Sequence, residues 1–225
     1  MSMYVLMRIL ESAPDRYDIG MRILTLGRLN TAYDHLISHV RQGQRVIDLG
    51  CGTGALTLRA AQKSARVKAI DVNPRMIEIL RKRAAMSNFE QNIELCEMGV
   101  AELASEETAS YDVVMAGLCF SELNKEEIYY TLKEVRRILK PGGLLLLADE
   151  VRPKSLLKKM ANWLIRFPLV IITYLIAQIT THAVDDLPAK IKGSGLLIES
   201  LRLNRMQSFM VLVARKPKMD RNESA

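Results

Sequence analysis

The sequence predicts an α/β protein: a Rossmann-like, seven-stranded, mostly parallel sheet with helices on both faces, a helical lid insertion and a C-terminal antiparallel β-hairpin. Three observations carry that prediction. Short apolar runs at 46–49, 67–70, 111–115 and 144–149 alternate with segments of helical period, which is the pattern of a parallel sheet wound through right-handed crossovers. The first run passes directly into a turn with glycines at 50, 52 and 54. Two β-rich runs near the end, 196–203 and 208–215, are separated only by Asn204–Gln207, a hairpin-length gap that makes them antiparallel to each other.

Each element has a local reason. Residues 20–41 place Ile23, Leu26, Leu29, Tyr33, Leu36, Ile37 and Val40 at helical spacing, and Gly43 closes the segment. A helix over 55–64 follows the glycine turn and leads to the second strand. Asn73 and Pro74 then supply an N-cap and a first-turn residue for a helix carrying Met76, Ile77, Ile79 and Leu80. Ile93–Met98 alternates as a third strand, and Tyr111–Met115 is apolar throughout, as a strand buried on both faces is. Asn124 with Glu127 three residues later starts a helix through Ile128, Leu132, Val135 and Leu139, which Pro141-Gly142-Gly143 is expected to stop. Leu144–Asp149 is a fifth strand, and a short helix is expected near 185–192.

A length of 225 residues suits one α/β domain over 1–225, with a helical segment at 1–42, a basic and apolar helical insertion at 152–184 and a flexible tail at 216–225. Three cysteines without metal-type spacing argue against a disulfide framework and against a zinc site, so no metal is expected and a reducing cytoplasm is. Met1–Leu10 is apolar but lacks the basic start and small-residue cleavage site of a signal peptide. The net charge of +7 is uneven: Arg152, Lys154, Lys158, Lys159 and Arg166 face no acidic residue between 152 and 184. With 5% aromatic residues and no recognition motif, a nucleic-acid partner is not expected.

The turn after the first strand is a nucleotide-type cofactor site. Its glycines remove Cβ atoms that would hold a ligand away from the backbone, and the following helix offers unsatisfied N–H groups. Gly50, Gly52 and Ala55 also fit the dinucleotide spacing G-x-G-x-x-A, so the glycines alone leave two readings. Asp48 favours one of them. A carboxylate at the strand end repels a pyrophosphate and suits the cationic amino-acid end of S-adenosylmethionine (SAM). Asp71 ends the second strand at the distance of a ribose-binding acid, which either cofactor would use.

From these residues the chain resembles the SAM-dependent methyltransferases with a Rossmann-like sheet, and is most similar to their ubiquinone/menaquinone C-methyltransferase-type superfamily. The matching blocks are VIDLGCGTG at 46–54, AIDVNPRMIEI at 69–79, YDVVMAG at 111–117 and LKEVRRILKPGGLLLLAD at 132–149. The resemblance implies SAM as cofactor, held by Asp48, Gly50, Cys51, Gly52, Asp71, Val72, Met76, Val100, Ala101, Gly117 and Leu118. One departure stands out. Many relatives place an Asp where this chain has Val100, so adenine recognition is expected to lean on apolar contacts and backbone groups.

Methyl transfer asks mainly for positioning, so the acceptor is less legible than the cofactor. Glu122 is the candidate catalytic carboxylate, with Asp149, Glu150 and His182 behind it; as a carboxylate before a helix start Glu122 equally suits the helix dipole. LCFSEL at 118–123 is similar to the cysteine region of arsenite methyltransferases, although Cys51 and Cys96 are not placed as that family's partner cysteines are. The insertion around Trp163 and Phe167 reads as a lid over the pocket or as an interfacial anchor; Arg166 and Pro168 interrupt it too early for a membrane span. LMRILESAPDRYD at 6–18 and ADEVRPK at 148–154 further resemble corrinoid-protein-associated methyltransferases, which implies a corrinoid protein or its pathway as partner. The expected activity is methyl transfer to a small or lipophilic acceptor in the cytoplasm, with peripheral membrane contact. A SAM-binding module without turnover and a thiol or metalloid methyltransferase are the alternatives, and Asp48 argues against an NAD dehydrogenase.

Overall fold

The computed structural model describes residues 28–152 and 184–218. Helix α1 (Arg28–Ile37) leads to β1 (Arg45–Leu49), followed by α2 (Ala55–Gln62), β2 (Arg66–Asp71), α3 (Pro74–Met86) and β3 (Ile93–Glu97). Then come β4 (Tyr111–Gly117), α4 (Lys125–Ile138), β5 (Leu139–Glu150), α5 (Leu187–Gly193), β6 (Leu197–Leu203) and β7 (Phe209–Arg215). The start of the 20–41 helix, the insertion with His182 and Trp163, and the tail after Lys218 lie outside the described residues.

The seven strands lie in the order β3-β2-β1-β4-β5-β7-β6. Strands β1 to β5 pair in parallel, whereas β7 is antiparallel to both β5 and β6. The expected Rossmann-like sheet with a terminal hairpin is what forms. Because β2 and β4 flank β1 on opposite sides, the chain reverses its direction of winding there, and a crevice opens at the carboxyl ends of β1 and β4.

Strand alternation divides the core. Ile47, Leu49, Val114 and Ala116 point to one face, where Ile128, Leu132 and Val135 of α4 and Leu187 and Ile191 of α5 cover them. Val46, Val113 and Met115 point to the other, beneath Tyr33, Leu36 and Ile37 of α1 and Leu56 and Ala60 of α2. Ile77 and Leu80 of α3 pack on Ala69 on that second face. Asn73 caps α3 by accepting from the Arg75 N–H at 3.0 Å, and Asn124 caps α4 by accepting from the Glu127 N–H at 2.9 Å while Glu127 reaches back to the Asn124 N–H.

Most bounds shift by a residue or two, and the end of one helix differs in kind from expectation. Helix α4 ends at Ile138, ahead of Pro141-Gly142-Gly143, and those residues lie within the bounds of β5. Proline disfavours the helical conformation in the residue before it. That restriction falls on Lys140; Leu139, one residue earlier, is already extended because it pairs with Tyr111, after which the register jumps to Val113 opposite Leu144, leaving Lys140–Gly143 as a bulge.

Candidate cofactor and acceptor site

After β1 the backbone turns through Gly50, Gly52 and Gly54 at φ values of 62°, 53° and 89°, which L side chains rarely adopt. Gly54 also has no room for a side chain, since a Cβ there would stand 2.1 Å from Leu80 Cδ1. The turn is tied to β2 by its backbone: Cys51 N–H donates to Ile70 O at 2.9 Å and Gly52 N–H to Asp71 Oδ2 at 2.8 Å. The other Asp71 oxygen accepts from the Asn73 N–H at 2.8 Å. Asp71 thus clamps two turns together, and each of its oxygens keeps a second acceptor site for a ligand. Burial raises its carboxyl above the ordinary range, against the pull of the N–H groups of Asn73 and Gly52.

Asp48 lies deeper, only 1% exposed, behind the glycine turn. Its Oδ2 accepts from the Thr57 hydroxyl at 2.6 Å, while Oδ1 has no hydrogen-bond partner among the described residues. Burial pushes its pKa up to about 7, with the Thr57 bonds opposing and Asp71 adding to the rise.

The crevice is a cavity of about 470 Å³. Gly50, Gly52 and Asp71 line one part of it, Val72, Met76, Val100 and Ala101 a largely apolar wall, and Gly117, Leu118 and Glu122 the side below β4. The structure therefore brings together ten of the twelve expected site residues and leaves Asp48 and Cys51 behind the lining. Met98, Glu102 and Glu127 also line it and were not foreseen. Glu102 is legible in retrospect as the acid of a G-x-x-E box, since it accepts from the Gly99 N–H at 2.7 Å. Met98 has no such signal, being simply the residue after β3.

The β4 side is held from a distance. Leu118 adopts φ 61°, a conformation costly for a side-chain residue, and its N–H donates to Ala148 O at 2.8 Å. Asp149, fully buried, accepts at Oδ2 from the N–H groups of Phe120 at 2.7 Å and Ser121 at 3.3 Å, and at Oδ1 from that of Glu150 at 2.7 Å. Burial raises Asp149 to about 7 despite these bonds. Neither Asp149 nor Glu150 lines the cavity, and Asp149 acts by fixing the turn that ends in Glu122.

Cys119 is buried, and its thiol is held well above its ordinary value by burial and then by the carboxylates of Glu122, Asp149, Asp71 and Asp48. Burial likewise raises the Cys51 thiol. Among the described residues no three His, Cys, Asp or Glu side chains converge as metal ligands.

Residues 46–143 match a family described as a methyltransferase domain. The chain is similar to a demethylmenaquinone methyltransferase from Symbiobacterium thermophilum, 29% identical over 152 residues covering 65% of this chain and 59% of that relative's length. It is also similar to an uncharacterized methyltransferase from Synechocystis sp., 28% identical over 181 residues covering 80% of this chain and 79% of the relative. Over residues 46–143 the chain thus matches a methyltransferase domain, and the relatives it is similar to are named as methyltransferases. A crystal structure of a SAM-dependent methyltransferase from Methanosarcina mazei superposes on it with a TM-score of 0.64 at 23% identity, covering 80% of this chain and 96% of that one, and shows the shared fold. The methyltransferase domain fits SAM on its own residues too: open glycine backbone, an acid with acceptor sites to spare, an apolar wall, and an unpartnered carboxylate oxygen beneath the turn. Among the described residues no helix is long and apolar enough to cross a membrane.

Proposed function

We propose that this protein transfers a methyl group from SAM to a small, lipophilic acceptor bound on the β4–β5 side of the crevice. The observation that carries the reading is a single cavity whose wall runs from Asp71 and the glycine turn to Glu122. When bound, SAM supplies an electrophilic methyl on a sulfonium. The chain's part is to hold and orient. Asp71 accepts from the ribose hydroxyls; Val72, Met76, Val100 and Ala101 flank the adenine; Gly50, Gly52, Gly117 and Leu118 surround the methionyl portion, with Cys51 behind them in the turn; and Asp48 places negative charge beneath its ammonium. Glu122 orients the acceptor or takes its proton. The apolar character of the wall supports a lipophilic acceptor, as does the similarity to a relative named for demethylmenaquinone.

The finer parts of the reading rest on sequence. A corrinoid protein as partner is supported by the resemblance at 6–18 and 148–154; peripheral membrane contact in a cytoplasmic setting, by the composition of 152–184; and one domain over the whole chain, by its length. The buried, protonated Cys119 and Cys51 weigh against thiol or metalloid chemistry. Incubating the purified protein with isotope-labelled SAM and either demethylmenaquinone or a lipid extract tests the proposal. Labelled product with S-adenosylhomocysteine is expected; SAM binding without either would leave a binding module.

A further inference from the structure

A second cavity, also of about 470 Å³, lies between the C-terminal half of α4, the end of α5 and Lys216. It sits at the opposite end of the strands from the crevice. The β5–β7 register runs from Glu150 opposite Phe209 beside the crevice to Leu144 opposite Arg215 beside this cavity, about 20 Å at the rise of a strand. Four of its lining residues are Lys133, Arg136, Arg137 and Lys216, and among the described residues no carboxylate lines it.

Arg137 is committed elsewhere, to Glu134 at 2.7 Å, to Glu106 O at 2.7 Å and to Leu103 O at 2.8 Å. The other three have no carboxylate partner among the described residues, although neighbouring cations do: Lys140 pairs with Asp112 and Arg215 with Glu199. Arg136 is also laid against the backbone, since a Cβ at Gly195 (φ 83°) would stand 2.9 Å from its Cζ. A guanidinium placed that way loses less freedom on meeting a ligand. Lys216 donates to Leu139 O at 2.6 Å and to Arg137 O at 3.5 Å, which offsets the negative end of α4 and leaves one further donor on its ammonium. Burial and then the charge of Arg136 hold that ammonium below its ordinary pKa, as expected where positive charges face one another.

We propose that this cavity is an anion site that takes a phosphate group, with Arg136 and Lys216 as its donors and Lys133 and Tyr129 at its mouth. A dianion matches several cations better than a single carboxylate does, and charge-assisted bonds to phosphate oxygens are the strongest these side chains make. The phosphate belongs to a soluble phosphate ester or to the headgroup of an anionic phospholipid; the chemistry of the site is the same for both.

The test has two arms on the full-length protein at physiological salt. Calorimetry follows inorganic phosphate and glycerol phosphate, and co-sedimentation follows phosphatidylcholine vesicles with and without phosphatidylglycerol. Arg136→Gln and Lys133→Gln are the variants, because Lys216 also satisfies helix carbonyls; unchanged SAM affinity and melting temperature certify that they fold. Saturable binding in the first arm, weakened about tenfold or more by Arg136→Gln, supports the site with a soluble ligand. Binding only to the anionic vesicles, weakened by the same variant, supports it with a lipid headgroup. No binding in either arm, or binding that both variants leave intact, overturns the proposal.

Discussion

The two sides of the crevice are built differently. On the β1–β2 side the parts are near neighbours in sequence: Asp48 meets Thr57 nine residues on, and Asp71 meets Asn73 and Gly52. On the β4–β5 side the turn from Leu118 to Glu122 is held by Ala148 and Asp149, about thirty residues away. Asp48 and Asp149 make the comparison sharp. Both stand next to last in a strand, both are buried and burial raises both to about 7, yet Asp149 satisfies three backbone N–H groups while one oxygen of Asp48 has no partner among the described residues. The same residue in the same burial is a fully used fastening on one side and keeps an open acceptor on the other.

The largest expected effect falls on the β4 side. Glu122→Gln lowers turnover by about 10² or more, with SAM affinity unchanged, if the carboxylate takes a proton from the acceptor; a loss below about tenfold reduces Glu122 to orienting the acceptor. Single-turnover kinetics with labelled SAM separates the two. On the cofactor side Asp71→Ala removes charge-assisted hydrogen bonds worth roughly 1.5–3 kcal/mol, so calorimetry should show SAM affinity falling about tenfold or more. Unchanged affinity in a folded variant would break the assignment of Asp71 to the ribose.

The two buried aspartates share one pH response but answer substitution with opposite sign. Each is raised from the ~3.9 of an unfolded aspartate, so the folded state binds more protons between that value and about 7. Their contribution to stability is therefore full below about pH 4 and is lost as pH rises through about 7. Asp48→Asn keeps an acceptor for the Thr57 hydroxyl and sheds the buried charge, so it raises stability at neutral pH and flattens the pH dependence of the melting curve. It also removes the rise of SAM affinity with pH that an ionising Asp48 gives to a cationic ligand. Asp149→Ala strands the buried Phe120 N–H and lowers stability by roughly 1–3 kcal/mol, with faster hydrogen exchange at Phe120 and Ser121. Equal effects of the two variants would erase the distinction between them.

The same difference explains what was legible in the sequence. Asp48, the three glycines and Asp71 could be read because strand, turn and helix follow one another within a few residues, and each residue type is demanded by backbone geometry or charge. Asp149 could be seen as an acid at a strand end, but not as the acceptor for Phe120 and Ser121, because that contact exists only once β4 and β5 lie side by side. Met98 and Glu127 reach the cavity for the same reason, and the early end of α4 was hidden because the bulge depends on the pairing of Leu139 with Tyr111.

The smallest expected effect is at Cys119, which lies in the cavity wall between the two sides and whose Sγ is 3.0 Å from where a Cβ at Gly50 would stand. It fills space where the turn after β4 crosses the glycine turn. A thiolate there is opposed by burial and by four carboxylates, so the group is a neutral thiol at neutral pH and a poor nucleophile. Cys119→Ser accordingly retains most of the methyl-transfer activity and SAM affinity, and chelators have little effect on either. Because serine brings a hydroxyl into a buried position, Cys119→Ala is the companion variant: a deficit in the serine protein that alanine does not share reports packing and polarity. If both variants bind SAM normally and neither turns over, the sulfur itself carries chemistry, and trivalent arsenic becomes the acceptor to assay.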